Sequence, residues 1–200
     1  MTVLAFLAFA AFAVADWVAV SQNRKAVEYV AKPAALAALV VYAAAGRDPS
    51  LWLIAALVLS LLGDVYLMLP ADLFVAGLGA FLLGHLCYVG AFRASVLARA
   101  VWMVVILAGS FPVVRRVVAS VDDARLRPGV CVYAAAIALM AGSALASGRP
   151  LAIVGGTLFW ASDGLLGWNR FVRPLPRAPV MVMVTYHLGQ LALAAALRSG

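Results

Sequence analysis

The chain has 200 residues, 66% of them apolar, with a mean hydropathy of +1.06 and only 12% charged side chains. Soluble chains are about 45–50% apolar, so a water-soluble globule is excluded, and a disordered chain more firmly still, since disorder needs low hydrophobicity. The net charge of +7 does not point to nucleic acid, because the basic residues stand singly or in twos and threes between apolar runs, as membrane-orienting charges do.

In chain order the apolar runs are Val3–Val20, Val30–Ala45, Leu51–Leu69, Phe74–Phe92, Val96–Val114, Gly129–Ala146, Leu151–Trp168 and Pro179–Leu197. They are continuous and do not alternate, which excludes a transmembrane β-barrel. Each reaches spanning length with its flanks, given that about 20 residues cross the hydrocarbon core. Backbone groups in hydrocarbon must be satisfied within their own segment, so each run is expected to be a helix. Gly46-Arg47-Asp48-Pro49, Pro70-Ala71-Asp72 and Ser147-Gly148-Arg149-Pro150 supply turns between them. The expected fold is all-α: a polytopic membrane bundle of eight transmembrane helices, with residues 1–200 forming a single integral membrane domain.

The first run invites a signal-peptide reading through Ala13-Val14-Ala15, but no positive n-region precedes it, and Asp16 is an odd residue to discard. It is expected to be a retained helix. Cys87 and Cys131 fall inside apolar segments, where cysteine behaves as a small hydrophobe, and no disulfide is expected. Connections after the odd-numbered runs carry Arg24, Lys25, Lys32, Arg115, Arg116, Arg125, Arg127, Arg170, Arg173 and Arg177, against Arg47, Arg93, Arg99, Arg149 and Arg198 on the other face. The positive-inside rule puts the first set in the cytoplasm and both termini outside.

A charge near the bilayer centre costs at least about 2.5–3.5 kcal/mol on insertion scales, so Asp16, Asp64, His85, Asp163 and His187 need a reason. At about 1.5 Å per residue, the three aspartates lie about 8–10 Å, and His187 about 13 Å, from run ends that share one membrane face. His85 is nearer the midplane. Helical spacing adds Ser60 to Asp64, Tyr88 to His85, and Gln190 to both Tyr186 and His187. Asn169 lies just beyond Asp163 at the same end. Together these residues describe one polar cavity opening toward the cytoplasmic side.

Glycines 63, 77, 84, 155, 156, 164 and 189 read first as close-packing positions. A lone histidine in an apolar helix is often only bonded to a neighbour, and Asp16 has a local partner in Lys32. Asp64 and Asp163 could be a register-fixing pair, but ionisable groups in spans are functional by default. Two carboxyls on packed helices can come within hydrogen-bond or one-water distance, leaving one protonated and the other ionised, a general acid beside a general base. That pair can protonate a substrate and activate water, as in glycoside hydrolysis.

Leu61-Leu62-Gly63-Asp64, then Phe74, Gly77, Phe81, His85 and Tyr88, then Gly156, Leu158-Phe159, Ser162-Asp163, Asn169 and Phe171, and last Tyr186 with Gln190, resemble the YhhN-type lysoplasmalogenase family. The resemblance covers most of the chain and includes Lys32-Pro33 at the start of the second run; His187 and Gly189 stand where the family carries a tyrosine and an alanine. It implies an integral membrane hydrolase that cleaves the vinyl ether bond of a lysoplasmalogen to a fatty aldehyde and a glycerophospho-ethanolamine or -choline. In that reading Asp64 and Asp163 are acid and base. Lys32, His85, Tyr88, Asn169, Tyr186 and Gln190 bind substrate, with Lys32 near the phosphate. No cofactor and no metal are expected, the partners are the lysophospholipid and membrane lipids, and the setting is a bacterial inner (plasma) membrane. Two other classes use the same residues. One is a proton-coupled transporter, hinted at by an echo of Asp64…His85 in Asp163…His187. The other is a metal-dependent lipid hydrolase with Asp64, His85, Asp163 and His187 as ligands.

Overall fold

The computed structural model describes residues 1–71 and 73–198. Eight helices account for most of them: α1 (Thr2–Ser21), α2 (Lys25–Ala44), α3 (Leu51–Met68), α4 (Phe74–Ala91), α5 (Val96–Ala119), α6 (Arg127–Ala146), α7 (Pro150–Phe171) and α8 (Ala178–Arg198). All eight are long and apolar enough to cross a membrane, and the described residues contain no strand. The chain is a multi-pass membrane protein of the expected class.

The helices outrun the apolar segments that announced them. α2 begins at Lys25, α5 continues to Ala119 and α7 to Phe171. Apolarity marks only the part of a helix suited to hydrocarbon, whereas the backbone ladder continues past it, to exposed Lys25, Arg115 and Arg170. Ser50 and Ser95 cap α3 and α5 by accepting from Leu53 N and Ala98 N at 3.4 and 3.2 Å. Proline opens the first turn of α6 and α7, where its missing N–H costs nothing. Pro33 lies inside α2 and not at its start.

Consecutive helices pair as four hairpins, α1/α2, α3/α4, α5/α6 and α7/α8. α8 also packs against α1, α2 and α3, while α6 joins α4 to α7. α5 is the outermost helix, with only Ser110 and Val117 buried. Outward faces carry exposed Leu, Val and Phe, including Val104, Val105 and Phe111, as a lipid-facing surface requires. Arg99 donates to the carbonyls of Val89, Phe92 and Ala94, Arg149 to Ala196, and Arg198 to Ala45. Three of the five arginines on the less basic face therefore satisfy orphan carbonyls in and just past the last turns of helices, a placement that also suits the helix dipole.

α7 crosses α8 closely. A Cβ at Gly155 would stand 2.8 Å from Leu193 N, and one at Gly189 would stand 3.1 Å from Gly155 O and Phe159 N. Gly164 differs: a Cβ there meets nothing within 4 Å. Gly155→Leu is therefore expected to lower the thermal unfolding midpoint in detergent, through overpacking worth about 1–3 kcal/mol. Gly164→Ala should hold or raise it, since Gly in a helix interior costs about 0.5–1 kcal/mol relative to Ala.

Candidate active site

Asp64 on α3 is 1% exposed, and burial of an unpaired carboxylate at that depth would be prohibitive. Its two oxygens are both met. Oδ1 lies 3.1 Å from Lys32 Nζ on α2, and Oδ2 accepts the Tyr186 hydroxyl of α8 at 2.7 Å. Lys32 is itself buried, so the ion pair is closed on both sides. This is not the headgroup-level lysine the sequence led us to expect.

Asp163 on α7 has a second, separate set of partners. Its Oδ2 accepts the Tyr133 hydroxyl of α6 at 2.5 Å and lies 3.2 Å from His85 Nε2 of α4. His85 Nε2 also lies 3.1 Å from the Tyr133 hydroxyl, so the three side chains form a closed triangle. With its proton on Nε2, His85 donates to the carboxyl. Oδ1 of Asp163 has no hydrogen-bond partner among the described residues, and the side chain keeps 11% exposure where Asp64 keeps 1%.

The carboxyls thus share no hydrogen bond with each other. Aromatic rings stand between their partner sets. Phe159, fully buried on α7, has its ring centroid 4.8 Å from that of His85, 5.3 Å from Tyr186 and 6.4 Å from Tyr88, all edge-to-face. Tyr88 donates to Gln190 Oε1 in the same core. The close α7–α8 crossing at Gly155 and Gly189 is what brings Phe159 against Tyr186.

A cavity of about 520 Å³ opens between α4, α5, α6 and α7. Asp163 and Tyr133 line it; Asp64, Lys32 and Tyr186 do not. The rest of the wall is chiefly apolar, from Phe74 and Val117 near one end to Gly109, Ile137 and Trp160 toward the other, with Arg173 at the end beyond α7. A volume of this size suits a drug-sized or lipid-chain ligand.

Of the residues singled out in the sequence, Lys32, Asp64 and Tyr186 converge on one carboxyl and His85 on the other, while Tyr88 pairs with Gln190 behind them. Asn169 stays apart: its Oδ1 accepts Leu175 N at 2.9 Å and ties down the turn before α8. Asp16 is buried without a hydrogen-bond partner, because Lys32 turns to Asp64, although the Lys32 charge still acts on it. His187 accepts Trp17 Nε1 on Nδ1 at 3.0 Å, fastening α1 to α8. Tyr133 went unread. Its only sequence signal was a hydroxyl-bearing ring in an otherwise small-residue helix, and tyrosine in a span reads equally well as packing. The described residues contain no group of three or more His, Cys, Asp or Glu side chains able to hold a metal, so the four supposed ligands do not converge.

The fold and the site define a multi-pass membrane protein with an ionisable centre at the wall of an apolar, lipid-sized cavity. The chain belongs to the YhhN family, which it matches over residues 27–197. It is 39% identical over 145 residues to lysoplasmalogenase TMEM86B of Homo sapiens, an alignment covering 72% of this chain and 62% of that one. To lysoplasmalogenase TMEM86B of Sus scrofa it is 35% identical, over 74% of this chain and 64% of the relative. The lysoplasmalogenase of Mycobacterium tuberculosis is 32% identical over 177 residues, 80% of this chain and 65% of the relative. The chain thus spans just under two thirds of the length of these curated relatives. No solved structure matches it.

Removing one partner of a buried ion pair costs about 3–5 kcal/mol, because the survivor is left uncompensated. Lys32→Met is therefore expected to lower the unfolding midpoint sharply, and Lys32→Met with Asp64→Leu to recover most of the loss. A double variant no more stable than the single one would mean that the pair does not hold α2 and α3 together.

Proposed function

We propose that this protein is a lysoplasmalogenase, an integral membrane hydrolase that takes a vinyl-ether lysophospholipid to a fatty aldehyde and a glycerophospho-alcohol. The observation that carries the reading is Asp163: a carboxyl fixed through one oxygen by Tyr133 and His85, with the other oxygen unbonded, at the wall of an apolar cavity. Membership of the YhhN family and relatives named lysoplasmalogenase support it.

Vinyl ether hydrolysis begins with protonation of the β-carbon. Protonated Asp163 delivers that proton from Oδ1, the carbon–carbon double bond supplies the electron pair, and the α-carbon becomes an oxocarbenium ion facing the new carboxylate. A carboxylate held against that carbon stabilises the cation at the moment the charge develops. Water then adds to the α-carbon, Asp163 takes up the proton the water releases, and the carboxylic acid is restored. The hemiacetal passes its hydroxyl proton to the ether oxygen and splits into aldehyde and alcohol. One water is consumed and no redox step occurs.

The two aspartates divide the work without touching. Asp163 performs the proton transfers; Tyr133 and His85 hold its Oδ2 and leave Oδ1 for the substrate. Asp64 fixes the Lys32 charge and the Tyr186 ring that backs Phe159, and so acts through position. Tyr88 and Gln190 keep the same wall in register. The basic face carrying Arg170, Arg173 and Arg177 is the cytoplasmic one, in a bacterial inner membrane, and substrate enters from that leaflet.

Purified protein in detergent should release fatty aldehyde from a lysoplasmalogen. Asp163→Asn should lose about 10²- to 10⁴-fold in turnover, the usual worth of a positioned acid or base, while its unfolding midpoint stays near that of the parent. Full turnover by folded Asp163→Asn would remove that residue from the chemistry. Hydrolysis in deuterium oxide should place one deuterium on the carbon next to the aldehyde, read by mass spectrometry; an unlabelled product would exclude β-carbon protonation.

A further inference from the structure

The cavity has a direction. Along α7, Asp163 is followed after eight residues by the helix end at Phe171, about 12 Å of rise, and then by Arg173. In the other direction the cavity wall continues past Asp163 to Trp160, with Ile137 of α6 and Gly109 of α5 at its apolar end. A charged end, a reactive carboxyl and an apolar end thus follow one another along a single wall. Arg173 is exposed and makes no ion pair with the described residues. Lys32, by contrast, is buried on Asp64 and has no free charge to offer.

We propose that this cavity is the binding site of a single-chain phospholipid, with the phosphate on Arg173, the glycerol ether at Asp163 and the hydrocarbon tail running toward Gly109, Ile137 and Trp160. The assignment deepens the lysoplasmalogenase reading and rests on it for the ether position alone. The guanidinium supplies what a phosphate needs, two parallel N–H donors and a positive charge. The Gly109 end leaves room for the tail, because a Cβ at Gly109 meets nothing within 4 Å and Gly109 lines the cavity, so that a bulky side chain there would shorten the space for it. Arg173 and Gly109 are thereby specificity-determining residues, one for headgroup and one for chain.

The test uses the full chain in detergent, with tail-brominated lysophosphatidylcholine and a monoacylglycerol with the same brominated tail as probes. Binding is read as quenching of Trp160, isolated by subtracting the Trp160→Phe signal. Arg173→Gln should weaken the phosphate-bearing probe about fivefold relative to the phosphate-free one, as expected for one interfacial basic contact. Gly109→Leu should penalise long tails more than short ones. An unchanged ratio between the probes, or an equal penalty for all tails, overturns the proposal. If aldehyde is released in an Asp163-dependent manner while the probe ratio ignores Arg173, the binding proposal fails and the enzymatic reading stands. If both probes behave as expected and no aldehyde forms from a lysoplasmalogen, the enzymatic reading fails and the lipid site stands.

Discussion

An ionised carboxyl in an apolar helical bundle has to find its donors inside the bundle, because hydrocarbon offers none. Here two carboxyls do so in parallel; Asp16, buried with neither oxygen hydrogen-bonded, stands apart from this pattern. Asp64 on α3 draws Lys32 from α2 and Tyr186 from α8; Asp163 on α7 draws Tyr133 from α6 and His85 from α4. Each meeting therefore ties three helices at one depth, and between them the two use every helix except α1 and α5. The remaining pair sit at the margin, α1 fastened by the Trp17–His187 bond and α5 packed on α6 and α7.

What separates the two centres is their access to the outside. Asp64 faces a buried cation and an aromatic hydroxyl, so both its oxygens are occupied and the cluster is closed. Asp163 faces two donors on one oxygen and the cavity on its other side, and the most loosely packed helix of the bundle forms part of the opposing wall. Phe159 lies between these environments, its ring against Tyr186 of the closed centre and His85 of the open one. A closed ion pair suits structure; a carboxyl with one oxygen pinned and the other unbonded suits proton transfer.

The bundle was legible because its evidence is additive: long apolar runs, turn residues between them and basic flanks all point to the same eight spans. How far Asp64 and Asp163 stand from their helix ends was legible too, since a constant rise per residue converts sequence position into height along a helix. Which side chain meets which was not, because height says nothing about rotation between helices that are far apart in sequence. Lys32 looked like a headgroup residue when its helix was taken to begin at Val30; with α2 starting at Lys25, it lies two turns inside and reaches Asp64. Asn169, two residues before the end of α7, looked like a site residue for its closeness to Asp163, yet the α7–α8 turn takes its side chain. Tyr133 could be found only through the fold, since nothing in the run around it distinguishes a buried proton donor from packing.

The most direct measurement of the central claim is an experimental structure of this protein with a saturated ether lysophospholipid, which has the shape of the substrate but no double bond to protonate. The account predicts the ether oxygen and its first tail carbon within hydrogen-bond or van der Waals reach of Asp163, and the tail between α5 and α6. A ligand seated elsewhere, with Asp163 turned from it or its ether beside Asp64, would contradict the account.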